Sequence, residues 1–86
     1  VEGFTKTLAR ESARKNITVN AVEPAHIDTE MQRSVPADIL ERSIKANPSQ
    51  RFGTPAELAA VIFFLASDDS SFVNGAIIPV CGGLRT

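Results

Sequence analysis

One cysteine, one histidine and one methionine, with no tryptophan or tyrosine, leave this 86-residue chain short of several side chains on which sites are commonly built. The lone Cys81 excludes an intrachain disulfide framework and a cysteine metal cluster, and it suits a reducing compartment. His26 stands alone too. A metal reading would recruit Asp28, Glu30 or Cys81, less imidazole and thiolate than an iron or zinc site usually takes, so no metal site is expected. Neither sign of charge dominates: 9 Lys and Arg stand against 10 Asp and Glu, interspersed, with no basic stripe to neutralise a phosphate backbone. Nucleic acid is not an expected partner. The longest apolar run, Ala59 to Ala66, falls well short of the roughly 20 residues that span a bilayer, and no basic-then-apolar leader is present. No membrane association is expected, and the cytoplasm is the expected compartment. There is no internal repeat and no low-complexity segment.

What is present reads as alternating helix and strand. Val1 opens the chain inside an amphipathic helical pattern, with Phe4 and Leu8 apolar and Glu2, Lys6, Arg10 and Arg14 charged, and no capping residue precedes it. The chain is therefore expected to be the tail of something longer. The first helix is predicted from Val1 to about Lys15, with Asn16 as a left-handed stop. Ile17 to Val22 is rich in β-branched residues and apolar on both faces, as in an interior parallel strand. Pro24 ends it, and a loop leads to a short helical turn capped by Asp28 or Thr29. A second helix is predicted from Pro36 to about Ala46, because Pro48 disfavours helical geometry at Asn47. Its apolar spacing is loose, which suits a movable flap. Thr54-Pro55-Ala56-Glu57 forms a capping box with proline at the first helical position, opening a helix that runs apolar on all sides to Ala66 and so calls for cover on more than one side. Asn74-Gly75 turns the chain into a last strand, Ala76 to Val80, placed near an edge by Pro79. Helix, strand, flap, helix, strand is the rhythm of an α/β layered fold, and two strands do not make a stable sheet alone.

In an open parallel sheet, ligands bind beyond the carboxyl ends of the strands. The Glu23–Thr29 loop leaves such an end. It carries Pro24 for rigidity, a small Ala25 for close approach of a planar ligand, backbone N–H donors and the Thr29 hydroxyl. The plain alternative is an ordinary turn with a helix cap.

The run Ile17-Thr18-Val19-Asn20-Ala21-Val22-Glu23-Pro24-Ala25-His26-Ile27-Asp28-Thr29, then Arg51-Phe52-Gly53-Thr54-Pro55-Ala56-Glu57-Leu58, then Phe63, Leu65-Ala66-Ser67-Asp68-Asp69, Gly75 and Gly82-Gly83, resembles the C-terminal part of the short-chain dehydrogenase/reductase family over essentially the whole chain. The nearest branch is that of 3-oxoacyl-acyl carrier protein reductase, acetoacetyl-CoA reductase and glucose dehydrogenase. The resemblance implies a Rossmann-type, doubly wound parallel sheet, of which residues 1–86 supply the last two strands and flanking helices, with a substrate flap over 30–50. It implies NADP or NAD as cofactor, a small-molecule carbonyl or alcohol substrate, possible 3-oxoacyl thioester reduction, and a homo-oligomer, tetramer or dimer.

The family's Ser and Tyr-x-x-x-Lys catalytic residues precede this segment, so no catalytic residue is expected here and the chain alone is expected to be inactive. By resemblance, Pro24, Ala25, Ile27 and Thr29 form the cofactor-binding loop, in which the Ile27 backbone and the Thr29 hydroxyl hold the nicotinamide carboxamide. His26 and Met31 fall on the substrate side. Two positions depart from the family pattern. Ala25 replaces a glycine, which would add strain of about 1 kcal/mol if that position takes a positive φ. Cys81 replaces an aspartate ahead of Gly82-Gly83, and a small buried thiol is the expected state. His26 is otherwise expected to be an exposed loop side chain, the flap a loose surface helix, and Arg14 and Lys15 solvated helix-end charges. The competing reading is a non-catalytic fragment or interaction element that associates through the Pro55–Ala66 helix.

Overall fold

The computed structural model describes residues 1–84, the side chains of residues 31 and 32 excepted. Its elements are α1 (Glu2–Ser12) with a 3-10 turn over Ala13–Lys15, β1 (Ala21–Pro24), α2 (Glu30–Arg33), α3 (Ala37–Ala46), α4 (Pro55–Ala66) with a 3-10 turn over Asp68–Ser70, and β2 (Ile77–Val80). The chain divides into two compact units. One comprises Val1–Glu23 and Ala60–Ile78, the other Pro24–Ala59 and the residues from Pro79 on.

β1 and β2 are neighbours in a two-stranded sheet. The Ala21 N–H donates to the Ala76 carbonyl at 2.9 Å and the Ala25 N–H to the Val80 carbonyl at 3.1 Å, one constant offset running the same way, so the pair is parallel. Because Ala76 and Val80 turn their carbonyls to β1, Pro79 lies at the alternate position and its missing N–H falls on the side away from β1. Pro24 stands in the same relation to β2. Both prolines are thus tolerated where they occur.

In the first unit, Thr5 and Ala9, one turn apart, form the buried stripe of α1, and the Thr5 hydroxyl donates to the Val1 carbonyl at 2.7 Å. The helix closes as predicted: Asn16 takes the left-handed conformation (φ 58°) and returns its N–H to the Ala13 carbonyl. The strand expected from Ile17 begins only at Ala21. Its partner segment explains the delay, since residues 73–75 are irregular, with a bend at Gly75 (φ 76°), and supply one backbone bond, from the Gly75 N–H to the Val19 carbonyl at 2.8 Å, rather than a ladder. Two amide side chains serve instead. Asn74 accepts the Val19 N–H through Oδ1 (2.9 Å) and donates through Nδ2 to the Ala9 carbonyl (3.1 Å). Asn20 donates to the Val73 carbonyl (3.0 Å) and accepts the Ala76 N–H (2.9 Å). Asn74-Gly75 is not a type I′ hairpin, for Asn74 is absent from the positive-φ residues. Ser70, 1% exposed, satisfies its hydroxyl at the Leu65 and Ser67 carbonyls. The cover expected for α4 is not supplied by the described residues: Phe63 is 77% and Ile62 52% exposed.

The second unit holds the site loop, α2, α3 and the start of α4. Helix α3 has no buried residue among those described and ends where Asn47 turns extended (φ −81°, ψ 130°), as the following proline requires. Pro36 is its N-cap, so the helix begins one residue later than predicted. The start of α4 is the expected capping box: the Glu57 N–H donates to Thr54 Oγ1 at 3.1 Å, and the Thr54 N–H donates to Glu57 Oε1 at 3.0 Å.

Candidate functional site

The loop that leaves β1 is fixed by a segment far along the chain. Ile27 forms an isolated parallel bridge with Gly53. The Gly53 N–H donates to the His26 carbonyl (2.9 Å), and the Asp28 N–H donates to the Gly53 carbonyl (2.8 Å). In such a bridge the neighbouring peptide groups make the bonds, so the N–H and C=O of Ile27 itself point to the side away from Gly53. The Ile27 side chain is buried, 8% exposed, and a Cβ added at Gly53 would lie 3.0 Å from its Cδ1. Glycine at 53 is therefore part of the seat.

Gly53 is in turn held by its neighbours. Arg51 makes a bidentate ion pair with Glu57, at 2.8 and 2.9 Å, and donates from Nη1 to the Phe52 carbonyl at 3.1 Å. Arg51 first, and then the Thr54 N–H, hold the Glu57 carboxyl down at about 2. At the other end of the loop Arg33 pairs with both oxygens of Asp28 (3.2 and 3.3 Å), which raises the guanidinium above its already high range. Leu40, Ile44 and Phe52, together with Asp28, Arg33 and Arg51, line a cavity of about 410 Å3. A larger one, about 720 Å3, lies in the first unit beside Asn16, Ile17 and Phe72 and contains none of the predicted site residues.

Pro24, Ala25, His26 and Ile27 follow one another along this loop, with the Thr29 side chain exposed at its end; the Met31 side chain lies outside the described residues. Two expectations change. Ala25 is not among the residues with positive φ, so the strain foreseen there does not arise; His26 takes the left-handed conformation instead, at φ 57°, and histidine is one of the few side-chain types enriched in that region. Nor is His26 an exposed loop residue. It is half-buried, its ring edge-on to Phe52 with centroids 5.5 Å apart. Cys81 is buried, as expected.

Asn47 was legible only as a helix stop. In the structure it is 1% exposed and joins three parts of the unit. Its Oδ1 accepts from the Ser49 N–H (2.9 Å) and the Ser49 hydroxyl (2.7 Å). Its Nδ2 donates to the Cys81 carbonyl (3.0 Å) and lies 3.4 Å from His26 Nδ1. A backbone donor on one side and a backbone acceptor on the other fix the amide's orientation, so that its NH2 group is the one facing His26 Nδ1. The signal available in sequence was Asn-Pro-Ser, an asparagine able to bond the backbone two residues on. Gly82 completes the cluster at φ 62°, where a Cβ would meet Ser49 Oγ and lie 2.7 Å from Asn47 Oδ1.

The family model described as enoyl-(acyl carrier protein) reductase matches residues 1–85. The chain is 45% identical over 84 residues to the 3-oxoacyl-[acyl-carrier-protein] reductase MabA of Mycobacterium tuberculosis, covering 98% of this chain and 34% of that protein. It belongs to the short-chain dehydrogenase/reductase family. The 3-oxoacyl-[acyl-carrier-protein] reductase FabG of Thermotoga maritima is 50% identical over 98% of this chain and 34% of its own length, and an acetoacetyl-CoA reductase of Shinella zoogloeoides is 50% identical over 94% and 34%. A crystal structure of a 3-oxoacyl-[acyl-carrier protein] reductase from Brucella melitensis superimposes with a TM-score of 0.95 at 42% identity, over 99% of this chain and 32% of that one. The chain thus has the α/β, Rossmann-type fold of the 3-oxoacyl-acyl carrier protein reductase branch and spans about a third of the length of the curated relatives it matches.

Proposed function

We propose that this chain forms the nicotinamide-side loop, substrate flap and subunit interface of an NAD(P)(H)-dependent oxidoreductase that interconverts a ketone and a secondary alcohol, with 3-oxoacyl thioesters as the substrate class. The observation that carries this is the Ile27 seat. A carboxamide presents one carbonyl acceptor and one amino donor, and the Ile27 peptide groups that face away from Gly53 are their complement. Pro24 and Ala25 bring the backbone up to the ring, and the Thr29 hydroxyl joins the same ledge. When bound, the cofactor supplies the hydride. The chain's own contribution is orientation, holding the ring so that one face meets the substrate. His26, Met31 and the 30–50 flap form the substrate side. The serine, tyrosine and lysine that handle the proton in this family are assigned to further polypeptide.

That assignment has a physical support in the packing. Among the described residues the buried hydrophobic side chains are Ala9, Ile27 and Cys81, while Phe72 is 102% and Phe63 77% exposed. Further chain and a second subunit are the natural cover for them, in a dimer or tetramer. The competing reading as an interaction element rests on the same exposed apolar residues. Assay of the full-length protein separates the two. Oxidation of NADPH or NADH on addition of acetoacetyl-CoA is the expected result, and Thr29→Val is expected to raise the cofactor Kd roughly three- to tenfold, the worth of one hydrogen bond. Folded protein that binds neither dinucleotide would leave the interaction element standing. The isolated 86-residue chain is expected to show no cooperative thermal transition.

A further inference from the structure

We propose that Asn47 is a positioning residue for the cofactor ledge, acting through His26. This rests on the reading of the Ile27 loop given above and adds to it the residue that sets its register. His26 is the one non-glycine residue of that loop with a positive φ, and its carbonyl makes one of the two bonds that seat Ile27 on Gly53. A residue in that conformation persists when its surroundings over-determine it. Two contacts do so here. Phe52 meets the ring edge-on, and the Asn47 amide faces Nδ1.

The amide is itself held at both ends. It is 1% exposed, and its oxygen and nitrogen are anchored at Ser49 and at the Cys81 carbonyl, the latter just past β2. Asn47 is also the C-cap of α3, so one buried amide ties the end of the flap to the residue that turns the ledge. Solvent is excluded from it, and a lost bond has no water to replace it.

The test uses the full-length protein and three forms: Asn47→Ala, His26→Phe, which keeps an aromatic ring against Phe52 but removes Nδ1, and the double substitution. Affinities for NADH, NADPH and ADP-ribose are measured by fluorescence or calorimetry, ADP-ribose being the probe that lacks the nicotinamide. Each single form is expected to weaken the preferred dinucleotide roughly three- to tenfold and to leave ADP-ribose within about twofold, with the double form no weaker than the weaker single one. Unchanged dinucleotide affinity in a folded Asn47→Ala protein, equal losses for both probes, or additive losses would each overturn the assignment. If Asn47→Ala does not fold, His26→Phe decides alone, and unchanged dinucleotide affinity there overturns it. A starting protein that binds dinucleotide no more tightly than ADP-ribose would overturn the ledge together with the role of Asn47; a preference that survives both substitutions overturns only the latter.

Discussion

Both units use asparagine side chains where backbone pairing stops, and they use them in opposite settings. In the first, Asn74 and Asn20 bracket the irregular segment before β2; Asn74 is exposed and Asn20 half-buried, so water reaches both side chains. In the second, Asn47 alone makes three such bonds at 1% exposure. The same amide chemistry is therefore a replaceable splint in one unit and a fixed point in the other. Desolvation decides which, because a polar group cut off from water loses more when its partner goes than one that water can reach.

The sharpest way to break this contrast is through the two turn glycines. Gly82→Ala places a methyl against Ser49 and Asn47 at φ 62°, and the buried network has to yield as well as the backbone; a loss of about 3 kcal/mol is expected in urea unfolding of the full-length protein. Gly75→Ala, at φ 76°, meets only Ala9 Cβ at an ordinary 3.5 Å, so the conformational cost of about 1 kcal/mol stands alone. Equal losses would dissolve the distinction. Next in size, Asn47→Leu is expected to cost about 2–3 kcal/mol and Asn74→Ala about 1 kcal/mol in the same assay.

Two smaller effects sharpen the contrast inside the second unit, where the α4 capping box is as exposed as Asn47 is buried. Thr54→Ala is expected to cost about 1 kcal/mol, the usual worth of a cap, read as a drop in thermal midpoint. Glu57→Gln is expected to act mainly through pH. Its carboxyl, ordinarily near 4.5, is held down at about 2 by Arg51 and the Thr54 N–H. Stabilisation from the ionised carboxylate is whole above 4.5 and is lost as pH falls towards 2; the Gln form should lack that portion of the acid slope in a stability–pH profile. Because the pair is exposed, added salt should shrink the difference.

The parts of the chain that could be read in advance are those whose partners lie within a turn. Thr54 and Glu57 are three residues apart, Asn16 bonds back to Ala13, and Pro48 acts on the residue before it. The Pro24–Thr29 loop is singled out by the β-rich run it follows, and the family resemblance of the chain was borne out by the comparisons. What escaped was everything whose partner is distant. The β preference of the composition begins at Ile17, whereas the strand begins four residues later, because the irregular segment 73–75 offers a single backbone bond and no ladder. Strain was assigned to Ala25 by analogy with glycine, but the loop places its left-handed residue one position later.

Local chemistry in this sequence determines where helices begin and end, where proline is tolerated and which loop leaves the sheet, since each depends on a few consecutive residues. The seat of Ile27 on Gly53 and the burial of Asn47 between His26, Ser49 and Cys81 were decided by tertiary structure alone. The reason is that Asn47 meets His26 and Cys81 across 21 and 34 residues of chain, and only folding brings such groups out of water and within reach of one another.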